Sequence, residues 1–183
     1  MKPVAAPLAD GILVQLDGKG IVGLTPAQMI APAALTKAFP WGELGVETRE
    51  ACVDGKNVPH DVITLSISDG TILEIGPGAA GPDWIRAEHR VGSRGGVAVG
   101  DHYKDLATLG KLACSFRWVS DEETGATCTF GGLDYHFDGA LRSLPGGEDP
   151  MAGAKLTRWL KTHNLEITSI EWGSPSEACD TPL

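Results

Sequence analysis

The segment Cys114-Ser-Phe-Arg-Trp-Val-Ser-Asp-Glu-Glu-Thr-Gly-Ala-Thr-Cys128 governs how the rest of the chain is read. Antiparallel partners keep a constant index sum, so if Cys114 faces Cys128, Phe116 faces Ala126 and Trp118 faces Thr124. The reversal then falls on Val119 to Glu123, where Ser120, Asp121, Glu122 and Glu123 supply the polar residues that turns favour. Alternate side chains of a strand share a face. Cys114, Phe116 and Trp118 therefore join Ala126, Cys128 and Phe130 on one apolar face, and Ser115, Arg117, Thr127 and Thr129 point the other way. Directly opposed residues have Cα atoms about 4.5 to 5.5 Å apart, within the roughly 4.4 to 6.8 Å that a disulfide spans. Two buried thiols would suit the same positions, but register and core pattern together favour a Cys114–Cys128 bridge. Cys52 and Cys179 keep the cysteine count even. Pairing them would tie the last residues to the first half of the chain; a loose tail with a free thiol is the alternative. No C-x-x-C motif is present. Structural disulfides persist mainly in oxidising compartments, so the expected location is the periplasm or cell envelope, as a mature chain with its leader removed.

Outward from the hairpin, strands are expected over 112–119, 125–130 and 132–138. A helix is expected over Met151 to His163, with Leu156, Trp159 and Leu160 at core spacing, then a closing strand from Leu165 to Trp172. Before the hairpin, Gly96 to Gly100 leads into a helix ending at Leu109, with Asp101 a suitable N-cap. In the first half, Ile12–Leu16 and Ile21–Leu24 read as strands around Asp17-Gly-Lys-Gly20. Ala33 to Phe39 reads as a helix between Pro32 and Pro40. A strand near Gly45 to Val53 follows, then a hairpin, 62–68 and 71–75, turning at Asp69-Gly70. Trp84 to Val91 reads as a further strand with Ile85, Ala87, His89 and Val91 on one side. These elements predict an α+β fold, an antiparallel sheet with two or three short helices packed on one face. A flexible N-terminus (1–11) precedes a single domain (12–173), and a C-terminal tail (174–183) follows. The order of a helix followed by antiparallel strands occurs twice, which suggests a pseudo-repeat of 12–91 and 92–173.

The composition narrows the function classes. With 24 acidic and 15 basic residues the net charge is −9, which repels phosphate backbones and anionic lipid, so nucleic-acid binding is disfavoured. The longest uncharged stretch, Ile21 to Thr36, is interrupted by Pro26 and Pro32, and no transmembrane segment is expected.

Three stretches resemble, in order and spacing, the bacterial envelope family of RpoE-regulated lipoproteins, a family of unknown function. They are Gly23-Leu-Thr-Pro26 with Ala34-Leu-Thr-Lys-Ala-Phe-Pro40, then Val99-Gly-Asp-His-Tyr-Lys-Asp-Leu106 before the paired cysteines, and Leu165-Glu-Ile-Thr-Ser-Ile-Glu-Trp172. The resemblance implies an exported envelope protein with an intramolecular disulfide. The chain has no lipobox cysteine near residue 1, so it departs from the family where the lipid anchor would be attached. At the level of fold it is also similar to β-lactamase-inhibitor-like repeats, in which a helical segment, a small disulfide loop and an antiparallel sheet recur in tandem.

Several patterns invite a chemical reading. Gly76-Pro-Gly78-Ala-Ala-Gly81 satisfies G-x-G-x-x-G, but that motif needs a helix N-terminus after it, and Pro82 follows instead. Ser93 lacks the strand–turn–helix elbow of a nucleophile. Asp134, His136 and Asp138 alternate along one strand and could hold a divalent metal, although Leu133, Tyr135 and Phe137 opposite them make a solvated strand face a sufficient explanation. Trp41 and Trp84 sit at apparent turns, and exposed loop tryptophans are enriched at binding hot spots. With no coherent catalytic constellation, the leading expectation is a non-catalytic module without a cofactor that binds a protein partner, one version being an inhibitor of a secreted enzyme. The alternative is a metal-dependent or hydrolytic periplasmic enzyme using Asp134, His136 and Asp138.

Overall fold

The computed structural model describes residues 11–118, 123–140 and 153–174. The expected reversal at 119–122, residues 141–150, Met151, Cys179 and most of both termini lie outside these residues. Eleven strands and four helices are described. β3 (Glu43–Val53), β4 (Lys56–Ile67), β5 (Gly70–Pro77) and β6 (Pro82–Ala87) form one meander. β8 (Ala113–Trp118), β9 (Glu123–Phe130), β10 (Leu133–Ala140) and β11 (Ile167–Gly173) form a second. The two join through β6 and β11 into an eight-stranded antiparallel sheet of order β3-β4-β5-β6-β11-β10-β9-β8. A small sheet, β2-β1-β7, comprises Gly20–Ile21, Val14–Asp17 and Val91–Ser93. The fold is α+β, as the order of elements predicts.

One apolar row crosses the large sheet. Leu65 faces Leu73, Ile75 faces Ile85, Ala87 faces Ile170, Ile170 faces Tyr135, and Tyr135 faces Cys128. Against this face pack α1 (Pro26–Met29), α2 (Pro32–Ala38), α3 (Tyr103–Ala107), α4 (Gly153–His163) and the small sheet. They contribute Met29, Leu35, Leu106, Leu156, Leu160, Leu16 and Val91 to a single core. Burial of this kind stabilises by roughly 25 cal/mol per Å² of apolar surface, which is why the apolar face, and not the polar one, recruits the helices.

The β8–β9 register is the one the cysteines predict: Cys114 faces Cys128, Phe116 faces Ala126 and Trp118 faces Thr124. The Cys114–Cys128 disulfide is formed. Two hairpins turn through two residues of positive φ, Asp54-Gly55 (52° and 74°) and Gly131-Gly132 (62° and 79°), the twist that tight antiparallel connections require.

Four local expectations need correction. Trp84–Val91 is not one strand. β6 ends at Ala87, Arg90 takes a left-handed conformation (φ 52°), and β7 departs to pair with β1 in the other sheet. The cap of α3 is His102, whose N–H donates to Asp105 Oδ2 at 3.1 Å, because Asp101 Oδ2 is taken by the Ala98 N–H at 2.8 Å. The helix expected to end at Leu109 stops at Ala107. The strand expected at 21–24 stops at Ile21, since Thr25 begins α1, its N–H donating to Gln28 Oε1 at 2.9 Å.

Replacing both Cys114 and Cys128 by Ser releases a loop of about 15 residues, which costs about 3 kcal/mol in the chain-entropy model. Urea denaturation is expected to show a lower midpoint for the double variant than for the oxidised wild type.

Candidate functional site

The second face of the large sheet is polar, and its charges are arranged by register. Glu74 of β5 faces Arg86 of β6, Arg86 faces Glu171 of β11, and Glu171 faces Asp134 of β10. Opposite charges directly opposed across antiparallel strands are favourable, as in the first two pairs, whereas the third sets two carboxylates opposite each other. Arg49 on β3 grips Glu74 with two N–H groups, Nη1 to Oε2 at 3.0 Å and Nη2 to Oε1 at 2.6 Å, and also donates to Glu47 Oε2 at 2.8 Å. Arg86 Nε donates to Glu171 Oε1 at 2.6 Å. His136 Nε2 lies 2.9 Å from Glu171 Oε2, and its Nδ1 is 2.9 Å from Thr127 Oγ1. The result is a ladder, Glu47–Arg49–Glu74–Arg86–Glu171–His136, running from the β3 edge to β10.

Glu74 and Glu171 are buried, and a buried charge persists only where it is paired. Burial pushes the Glu171 carboxyl up, but the His136 contact and the Arg86 guanidinium outweigh it and hold the group below the usual carboxylate range. Two carboxylates likewise raise the Arg49 guanidinium. Glu88 moves the other way: desolvation and the like charge of Glu74 raise it.

Asp134, His136 and Asp138 occupy one face of β10 as their alternation predicts, but each is engaged elsewhere. Asp134 accepts a hydrogen bond from Thr129 Oγ1, His136 belongs to the ladder, and Asp138 accepts from Thr168 Oγ1 at 2.9 Å. Among the described residues no group of three or more His, Cys, Asp or Glu is placed to hold a metal. The expectation of a solvated face also fails at His136, which is 8% exposed, because β11 and β6 bring Glu171 and Arg86 alongside it. The glycine motif is a turn: the Gly78 N–H donates to the Gly81 carbonyl at 2.7 Å, and a strand follows. Ser93 is a buried strand residue.

Trp84 is not at an exposed turn. It lies in β6, is 5% exposed, and sits over Gly76, where a Cβ would come within 2.2 Å of its ring. It therefore offers no ready contact surface. Trp41 is 42% exposed and edge-packed on Phe39 with ring centroids 5.5 Å apart. Among the described residues the large exposed hydrophobics are Trp41, which precedes β3, Val46 (60%) on the core-side face of β3, and Val53 (50%) and Val58 (41%) on the polar side of the β3–β4 hairpin. Sequence reasoning missed this hairpin; Asp54-Gly55 between two alternating runs was the available signal. The ladder was missed because its members come from five strands, and only register brings them together. A hollow of about 340 Å³ lies between α3, α4 and β8, lined by Tyr103, Leu112, Cys114, Thr157 and Lys161 among others. Among the described residues its lining holds no carboxylate or imidazole.

No protein-family model matches the chain. No curated protein matches it either. Among solved structures it is similar to the crystal structure of the uncharacterized protein YfeY from Escherichia coli, with a TM-score of 0.60 and 18% identity over 87% of this chain and 99% of that one. That likeness is one of fold.

Because the folded-state pKa of Glu171 is depressed, its stabilising contribution is complete above the unfolded value of about 4.3 and is lost as pH falls through the folded value. Glu171→Gln is expected to lower stability near neutral pH by about 1–3 kcal/mol. The gap from wild type should close below about pH 4, as read from urea midpoints across pH 3–7.

Proposed function

We propose that this chain is an exported envelope protein that acts by binding another protein, without catalysis, and that it does so through the β3–β4 edge of its large sheet. The observation that carries the reading is that β3 is an edge strand of the large sheet and that its hairpin with β4 holds Val46, Val53 and Val58 exposed. The β3 edge also presents backbone N–H and C=O groups that a partner strand can pair with. The charged face is a poorer candidate, since docking there would separate ion pairs that already satisfy one another.

The Cys114–Cys128 disulfide supports an oxidising compartment, and with it a periplasmic or envelope location. It also fits the resemblance to the RpoE-regulated lipoprotein family. We read Cys52 and Cys179 as a second bridge, and residues 12–173 as one domain of two like-built halves. Inhibition of a secreted enzyme is one form the binding could take, an expectation that rests on the likeness to β-lactamase-inhibitor-like repeats. For a partner other than this chain itself, a basic surface is the cheaper match to a net charge of −9.

The test is affinity capture from periplasmic extract with wild type, Trp41→Ala and Val46→Lys, followed by amide-exchange footprinting with the purified partner. The expected result is a partner that protects amides within 43–58 and whose affinity falls at least about tenfold for Val46→Lys, in the range of a hot-spot truncation. A partner that protects the polar face instead, with wild-type affinity for both variants, would contradict the reading.

A further inference from the structure

We infer that the partner seated on the β3 edge is a second copy of this chain, paired antiparallel through β3 about a two-fold axis at Thr48; the inference rests on the edge reading above. β3 is eleven residues long with Thr48 at its centre, and it pairs with β4 along its whole length without a bulge. Its other side has no strand partner among the described residues. Natural edges are blunted by bulges, proline, short length or charge. This one has no bulge, no proline and full length; its charges include the opposite pair Glu47 and Arg49, and it carries Val46 at 60% exposure.

The charge pattern is self-complementary. In antiparallel pairing about Thr48, Glu47 of one copy faces Arg49 of the other, and Arg49 faces Glu47, while Val46 faces Glu50 and Gly45 faces Ala51. Both charges lie on the polar face, where Arg49 already holds Glu47 of its own strand and Glu74 of β5. The pairing closes a quartet of alternating charges around the axis, and the ladder that crosses one sheet continues into the next. A register displaced by two residues either way sets Glu47 on Glu47 or Arg49 on Arg49, and like charges directly opposed are unfavourable. Larger displacements shorten the overlap. The pattern thus specifies one register as well as one partner, and a closed two-fold interface leaves no β3 edge exposed for further growth.

Sedimentation equilibrium on the oxidised full chain, across low- to high-micromolar loading, tests this. Wild type is expected to show a monomer–dimer equilibrium whose dissociation constant rises about tenfold or more in Glu47→Arg, where two ion pairs become two repulsions. An equimolar mixture of Glu47→Arg and Arg49→Glu is expected to recover a heterodimer that neither variant's self-association matches. Thr48→Cys keeps the test independent of these charge changes: under mild oxidation it should cross-link efficiently between copies, whereas Ser115→Cys, on the opposite edge strand, should not. A wild type that stays monomeric throughout, or a dimer indifferent to Glu47→Arg and not cross-linked through position 48, overturns the inference. If the chain is monomeric while Val46→Lys still abolishes capture of a different protein, the dimer is wrong and the edge reading stands. If neither self-association nor that loss occurs, both fall.

Discussion

The pairing of β6 with β11 is the junction on which the architecture depends, because among the described residues it is the only place where the two four-stranded meanders hydrogen-bond to each other. It is fastened on both faces. On the apolar side Ala87 faces Ile170 and Ile85 faces Trp172; on the polar side Arg86 faces Glu171 with a 2.6 Å hydrogen bond. Slippage by one residue would turn the core row outward and bury the charges among aliphatic side chains, so the two faces enforce the same register. Everything lateral to the junction inherits that register, including the alignment that brings Glu74 and His136 into the ladder.

That inheritance bears on function. A polar sheet face is often where a binding surface is sought, yet here its charges are spent on one another. Arg49, Arg86 and His136 alternate with Glu47, Glu74 and Glu171, and the central carboxylates are shielded from water. Competing for any of them means breaking a partly buried pair, which is costly. The helices cover the other face. The surface left with both unsatisfied backbone groups and exposed apolar side chains is the sheet edge at β3, and the net charge of −9 bears on how partners approach rather than on where they dock.

Much of this architecture was legible in the sequence, for identifiable reasons. The β8–β9 register followed from two cysteines and a polar turn, since index arithmetic leaves few choices once one pair is fixed. α2 and α4 were marked by prolines and by core spacing of Leu156, Trp159 and Leu160. What escaped was information that exists only between strands. The left-handed Arg90 that sends β7 into the small sheet has no strong local signature, and alternation alone made 84–91 look continuous. Trp84 looked exposed because Pro82 and Asp83 precede it. It is buried because Gly76, on a neighbouring strand, leaves room for its ring. Asp134, His136 and Asp138 were correctly placed on one face, but the identity of their neighbours, Glu171 above all, depends on a strand more than thirty residues later. Candidate sites were therefore less legible than elements.

The central claim is that one sheet, closed at its middle by β6 and β11, makes the two halves fold and stand as a unit. Native-state amide hydrogen exchange at increasing denaturant measures this most directly, because amides that open together share one free energy and one denaturant dependence. Amides of β5, β6, β10 and β11 are expected to converge on a single global opening. Two separate openings, one for β3–β6 and another for β8–β11, with the β6–β11 amides following the weaker, would contradict it.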